Sequence, residues 1–170
     1  MMNEYTKQAQ DFLQKANATI SIDLVGLAIN REWKETAPRN LYNVTLTSPK
    51  GSMTFDFWDS LHNTEISRMT LDEYAVKRYR CKADALRYSE KVTASRELKQ
   101  KKEEARPTAY DVLACMTKYD PGTFEDFCSE FGYDEDSRTA ERIYFAVQKE
   151  YSQLSRLFTA DQMEELAEIQ

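Results

Sequence analysis

The sequence predicts an α+β fold: a small three-stranded antiparallel sheet with an N-terminal helix, followed by a helical C-terminal half. Three observations support this prediction. Apolar and polar residues alternate, as in half-buried strands, before residue 60. Apolar residues recur at helical spacing before the first alternating run and again from residue 70 onward. A chain of 170 residues with 41% hydrophobic residues can bury a core without disulfide bonds.

The first helix and the first two strands follow from simple periodicity. Apolar side chains recur every three or four positions between residues 4 and 16, which predicts a helix. The runs TISIDLV and LYNVTLT then place apolar side chains at every second position, which predicts two strands. Between them, residues 30–40 contain Pro38 and no clear period, and we expect a loop there.

The third strand is predicted from the run SMTFDFW, whose apolar residues also alternate. Just before it, Pro49 presets the dihedral angle of a turn and Gly51 accepts a positive φ. The second and third strands should therefore form a hairpin. We expect residues 59–70 to be irregular because no period continues through them.

A single charged helix is predicted to begin at Thr70. Its apolar stripe runs to Leu86 and then thins into ELKQKKEEAR, which reads as an exposed helix end or a linker. Residues 71–106 hold eleven basic and seven acidic groups, a net of +4. On one continuous helix, several of these cations would share a side with tyrosines nearby, which is a pattern that suits nucleic acid. The candidate residues are Lys77, Arg78, Arg80, Lys82, Arg87 and Lys91. The alternative is an ordinary solvated helix face with internal ion pairs.

Residues 107–170 are predicted to form several helices with recognisable ends. Thr123 and Thr159 are expected to cap short helices, and Gly132 to end one. A long helix should follow, capped by Asp134, Asp136 or Ser137 and running to about Leu157. The chain is thus divided into a helix plus β-meander (1–66), a basic helix or linker (67–106) and an acidic helical region (107–170), which we expect to form one compact domain.

The most unusual composition lies in YDPGTFEDFCSEFGYDEDS, residues 119–137, which has no lysine or arginine. Its carboxylates are Asp120, Glu125, Asp126, Glu130, Asp134, Glu135 and Asp136. Three interpretations are open: helix capping, a metal site, or an acidic surface that binds a basic partner. An EF-hand beginning at Asp134 would place Arg138 and Thr139 at the fifth and sixth loop positions, so that motif fails.

Catalytic, cofactor and membrane functions find little support in the sequence. The three cysteines are widely spaced and His62 is the only histidine, so we expect reduced thiols, no metal and no cysteine–histidine pair. No phosphate-binding glycine motif is present, and we expect no cofactor and no enzyme activity. No apolar run spans a bilayer and the polar start is unlike a signal peptide, so we expect a cytoplasmic protein.

One long stretch of this sequence resembles a known family. The stretch is PTAYDVLACMTKYDPGTFEDFCSEFGYDEDSRTAERIYFAVQKEY, residues 107–151, and it looks like the short proteins carried by bacteriophages, prophages and integrated elements. The tail at 157–158 and 164–170 and the segments DFLQKANATISID and YNVTLTSPKGSMTFDF are similar to that family as well. The resemblance transfers no catalytic residues.

This resemblance implies a context in which small acidic proteins often act against host defences such as CRISPR–Cas or restriction systems. Such proteins usually bind a host protein and block its basic nucleic-acid channel, which suits an acidic surface. We therefore expect a non-enzymatic anti-CRISPR or anti-restriction inhibitor whose contact residues are the seven carboxylates of residues 119–137. The alternative function is nucleic-acid binding by the basic helix, residues 77–91.

Overall fold

The computed structural model describes residues 4–31, 33–117 and 122–169, and it confirms the predicted α+β class. An N-terminal helix is followed by a three-stranded antiparallel sheet and then by helices up to the C-terminal region. In chain order the elements are α1 (Glu4–Lys15), β1 (Thr19–Ala28), β2 (Arg39–Ser48), β3 (Gly51–Trp58), α2 (Leu61–Arg68), α3 (Leu71–Tyr79), a 3-10 helix (Ala83–Ala85), α4 (Tyr88–Glu104), α5 (Ala109–Thr117), α6 (Phe124–Phe131), α7 (Arg138–Leu157) and α8 (Ala160–Ala167).

The sheet has the order β1-β2-β3, so it is a meander with β2 in the centre. The predicted hairpin joins β2 and β3 through a two-residue turn, Pro49-Lys50, and Gly51 takes a φ of 148°. One face of β2 and β3 is buried, through alternate apolar residues as the pattern predicts. In β1 the alternation holds only as far as Ile22, because Leu24 is 61% exposed.

The chain divides into two compact units. Unit 1 is formed within Met1–Val25, Tyr42–Phe57 and Pro107–Gln170, and unit 2 within Gly26–Leu41 and Trp58–Arg106. By sequence, unit 2 carries 15 basic and 11 acidic residues, a net of +4. Of the totals of 23 basic and 29 acidic residues, 8 basic and 18 acidic remain for unit 1, a net of −10. The two units therefore have charges of opposite sign.

The core of unit 1 is built from α1, the inner face of the sheet, α5 and the C-terminal end of α7 with α8. The ring of Phe12 meets that of Phe158 edge-on, with centroids 5.2 Å apart. Two hydrogen bonds connect the hairpin to the end of α7: the Ser48 hydroxyl donates to the Leu157 carbonyl (2.7 Å) and the Lys50 ammonium to that of Phe158 (3.3 Å). Polar contacts thus add to the apolar packing between the hairpin and the end of α7.

In unit 2, the prediction that residues 59–70 are irregular is wrong. Helix α2 fills most of this range because the Ser60 side chain caps it, accepting a hydrogen bond from the Asn63 amide at 3.0 Å. The buried Thr64 hydroxyl accepts a hydrogen bond from the Asn40 amide at 3.0 Å, which holds α2 against the start of β2. His62, expected in a loop, is an exposed residue of the first turn of α2.

The prediction of one long helix from Thr70 is also wrong. Helix α3 ends at Tyr79, and Arg80 adopts the left-handed conformation with a φ of 57°. The chain then passes through the 3-10 helix before α4 begins at Tyr88. Ala83 and Leu86 are buried in one cluster with residues of α3 and α4. This burial favours a break in the helix after Tyr79 over one continuous helix. The polar segment 97–106, which was expected to be a helix end or a linker, forms the C-terminal end of the 17-residue helix α4 and the two residues after it, so the helix-end interpretation is confirmed.

The C-terminal helices follow their predicted signals. Thr123 caps α6, Gly132 ends it in the left-handed conformation, and Thr159 caps α8 together with Gln162. Of the three candidate caps for α7, Ser137 is the one whose side chain accepts the Ala140 amide. None of the helices in the described ranges has both the length and the apolar character needed to span a bilayer.

Candidate functional site

The acidic segment is held on an aromatic scaffold formed by α6 and α7. The ring of Phe127 is 3% exposed and lies 5.6 Å from that of Tyr144, centroid to centroid. Phe124 also meets Tyr144 edge-on at 5.3 Å. The Tyr144 hydroxyl donates a hydrogen bond to the Gly122 carbonyl at 2.9 Å, which fixes the chain just before α6. These contacts hold α6 against α7, so the backbone that carries the surrounding surface residues has a defined position.

Six of the seven predicted contact carboxylates are described, and all six side chains are exposed. We call them the acidic surface: Glu125, Asp126, Glu130, Asp134, Glu135 and Asp136. The seventh, Asp120, lies outside the described residues. No lysine or arginine occurs between residues 122 and 137, so no cation of that segment offsets the six negative charges. The structure therefore places the carboxylates in solvent, where a partner can reach them.

Asp126 has a structural role within the acidic surface. Its carboxylate accepts hydrogen bonds from the Thr123 hydroxyl (2.7 Å) and amide (3.3 Å), which completes a capping box. The side-chain hydrogen bond and then the backbone one hold the pKa of Asp126 below its usual value. Within the described residues, the other five carboxylates make no ion pair and no side-chain hydrogen bond. Capping hydrogen bonds thus explain Asp126, and Glu125 shares with it the first turn of α6, where a negative charge is favourable.

Cys128 lies beneath this surface and does not have the character of a nucleophile. Its side chain is buried, and burial raises the pKa of the thiol, with further contributions from the negative charges of Glu135 and Asp134. A raised pKa keeps the sulfur protonated at neutral pH, and the thiolate is the reactive form. Across the described ranges, no three histidine, cysteine or acidic side chains are arranged to hold a metal ion.

The end of α6 leads to the first prediction. Gly132 has a φ of 70°, and nothing lies within 4 Å of the position that a Cβ atom would take. Gly132→Ala therefore introduces backbone strain without a clash, and we expect it to lower the free energy of unfolding by about 1–2 kcal/mol. Urea denaturation checks this, with the exposed Ser129→Ala in α6 as control. Equal stability of both variants would contradict the left-handed end of α6.

The predicted nucleic-acid residues of unit 2 are distributed over the end of α3, the connection after it and the start of α4, not on one helix face. We call this set the basic corner: Lys77, Arg78, Arg80, Lys82, Arg87 and Lys91. Lys77 and Arg78 are in the last turn of α3, Arg80 and Lys82 in the connection, and Arg87 and Lys91 at the start of α4. The expectation of a shared helical side is therefore wrong, because the helix ends at Tyr79. The six cations nevertheless belong to one short segment of the sequence, residues 77–91.

Two cations of the basic corner have partners inside unit 2. Lys77 forms an ion pair with Glu65, and the guanidinium of Arg78 lies 5.6 Å from the ring centroid of Tyr79. The other four make no ion pair with any residue in the described part of the chain. Tyr79 is half-buried, whereas Tyr88 is 85% exposed. The two tyrosines of this segment therefore differ in their exposure to solvent.

Comparisons with known proteins do not assign the chain to a family. No protein-family model, curated protein or solved structure matches it.

Proposed function

We propose that this chain is a non-enzymatic accessory protein of a phage or other mobile element that binds and inhibits a host defence protein, of the anti-CRISPR or anti-restriction type. The observation that supports the proposal best is the acidic surface: six exposed carboxylates with no cation between residues 122 and 137. Nucleic-acid channels are lined by lysine and arginine, so such a surface complements them and competes with a phosphate backbone.

The acidic surface is available for binding because most of its charge has no intramolecular role. Glu125, Glu130 and Glu135 have no ion-pair partner among the described residues, and neither have Asp134 and Asp136. Unit 1 has a net charge of −10, which adds long-range attraction toward a basic partner. Complementary charge speeds association and suppresses wrong partners, so affinity should fall as salt rises. The aromatic scaffold limits the entropy lost when the surface is fixed by a partner.

The test begins by identifying the partner. The tagged chain is used to capture proteins from the lysate of a defence-competent bacterial host, with and without nuclease. A stoichiometric subunit of a CRISPR–Cas or restriction complex that survives nuclease treatment supports the proposal. The purified complex is then assayed for binding of its nucleic acid with the chain present. Failure to reduce that binding contradicts inhibition of the channel.

The acidic surface is then tested with the triple variant Glu130→Lys, Asp134→Lys and Glu135→Lys, which leaves the capping residue Asp126 intact. We expect at least a tenfold loss of affinity for the captured subunit, measured by calorimetry, because attraction becomes repulsion. The matched control carries the same charge change elsewhere in unit 1: Asp56→Lys, Glu164→Lys and Glu168→Lys, all exposed.

Two outcomes would reject the role of this surface. If both triple variants weaken binding equally, only the net charge of unit 1 matters. If the site variant lowers the melting temperature and leaves binding unchanged, the carboxylates serve only to stabilise the junction between α6 and α7. Thermal unfolding of the three proteins at one salt concentration separates these cases.

A further inference from the structure

We propose that unit 2 binds single-stranded nucleic acid at the basic corner, with the ring of Tyr88 as a platform on which a base stacks. This inference is independent of the proposed inhibitor function, because it concerns a different unit of opposite charge. Unit 2 carries a net of +4 by sequence, although the whole chain carries −6. Phosphates are therefore attracted to unit 2 despite the overall charge.

The cations of the basic corner are concentrated and largely unpaired. Residues 77–91 contain six basic and two acidic residues, Asp84 and Glu90. The Glu90 carboxylate accepts a hydrogen bond from the Arg87 amide at 2.9 Å, so it is already used to cap α4. Arg80, Lys82 and Arg87 are exposed, and Lys91 is half-buried. These four cations, without ion-pair partners in the described chain, can each neutralise a phosphate.

Tyr88 provides the second and independent observation. It is the first residue of α4 and is 85% exposed, more than any other large apolar or aromatic side chain in the described ranges. A ring in this position adds nothing to the core of unit 2, and burying one of its faces against a base is favourable. Arg87 precedes it and Lys91 follows one turn later, so cations lie on both sides of the ring along the chain.

The exposed ring favours single strands over duplexes. In a duplex each base is covered on both faces by its neighbours, whereas in a single strand a face is open for stacking on an aromatic side chain. Such stacking tolerates any base, because every base has a π-face. Binding should therefore show little sequence preference, and its salt dependence should report the phosphates neutralised.

Fluorescence anisotropy of the full-length chain with a labelled dT20 oligonucleotide tests the inference, with a labelled 20-base-pair duplex for comparison. Four phosphates neutralised on a single strand predict a slope of log K against log salt of about −3. We expect tighter binding to dT20 than to the duplex. Absence of binding to dT20 at 20 mM salt, or equal binding to both, would overturn the proposal.

The variants separate stacking from general charge. Tyr88→Ala should weaken dT20 binding about tenfold, and Tyr88→Trp, which keeps an aromatic face, should restore it. Binding should also weaken in the triple variant Lys82→Gln, Arg87→Gln and Lys91→Gln. The magnitude of its slope of log K against log salt should be smaller by about 2. The matched control Arg96→Gln, Lys99→Gln and Lys101→Gln removes the same charges further along α4, at exposed positions, and should have little effect.

Each result bears on one hypothesis only. If Tyr88→Ala binds as the natural chain does, or the two triple variants are equally weak, the basic corner is not the site. The variant Glu130→Lys, Asp134→Lys and Glu135→Lys should keep binding to dT20, since its changes lie in unit 1. Loss of partner binding alone in that variant supports the inhibitor function and leaves the nucleic-acid site untouched.

Discussion

Phe12→Ala is expected to lower the free energy of unfolding by about 3–5 kcal/mol, because Phe12 is only 1% exposed and fills the core of unit 1. Its ring belongs to the core cluster that contains residues of α1 and of the C-terminal region, and it meets the ring of Phe158 edge-on. The deletion leaves a cavity that the helices and the sheet can close only in part. Chemical denaturation followed by circular dichroism measures the loss.

The control for this prediction lies on the same helix. Lys7 of α1 is exposed, and Lys7→Ala changes side-chain size without opening a cavity, so its effect should stay within about 0.5 kcal/mol. A Phe12→Ala variant that is as stable as Lys7→Ala would show that α1 is not packed on the sheet as described. A fall of only about 1 kcal/mol in the free energy of unfolding would indicate that Phe12 is far more exposed in solution than 1%.

The sheet could be predicted from the sequence because its signals are local. Alternation buries Val44 and Leu46 on one face of β2, and the turn residues before β3 determine the hairpin. The exposure of Leu24 in β1 could not be predicted, because it depends on how far the helices cover the sheet. A two-residue period indicates which side chains share a face of the sheet, but not whether another element packs on that face.

The end of α3 shows a second limit of sequence patterns. Apolar residues continue at helical spacing through Leu86, so periodicity favours one helix. Arg80 is neither glycine nor asparagine, the residues that usually mark a left-handed end. The break after Tyr79 is favoured by the burial of Ala83 and Leu86 against α3 and α4. This tertiary contact cannot be predicted from the spacing of apolar residues along the chain. Helix α2 was missed for a different reason: its signal is a serine cap followed by a short, mostly polar helix.

The carboxylate-rich composition of the acidic surface could be predicted from the sequence, but the geometry of that surface could not. A segment rich in carboxylates is almost always solvated, so the exposure of Glu130 and Asp134 follows from their charge. The role of Asp126 was partly visible, because a threonine three residues before an acid is a capping pattern. The positive charge of unit 2 could be predicted from residues 71–106, which carry a net of +4, but the grouping of these residues with 26–41 and 58–70 in one compact unit needed the structure.

Tyr74→Phe should destabilise the protein at neutral pH and lose most of that effect at high pH. Tyr74 is 5% exposed and its hydroxyl donates a hydrogen bond to the Glu97 carboxylate at 2.7 Å, connecting α3 to α4. Removing a hydrogen bond to a charged group costs about 1.5–3 kcal/mol. Burial first, and then the hydrogen bond and the charge of Glu97, raise the pKa of Tyr74 to about 12.

The sign of the pH effect follows from this raised pKa. An unfolded tyrosine loses its proton near pH 10, whereas folded Tyr74 keeps it until about pH 12. Its contribution to stability is therefore complete below pH 10 and falls as the pH rises from 10 toward 12. Phenylalanine cannot titrate, so the difference in stability between the natural chain and Tyr74→Phe should shrink over this interval. Urea denaturation at pH 8, 10 and 11.5 measures it, and Tyr88→Phe at pH 8 is the control for loss of a tyrosine hydroxyl at an exposed site. A difference for Tyr74→Phe that does not change with pH would mean that the hydroxyl is not bonded to Glu97 in the folded protein.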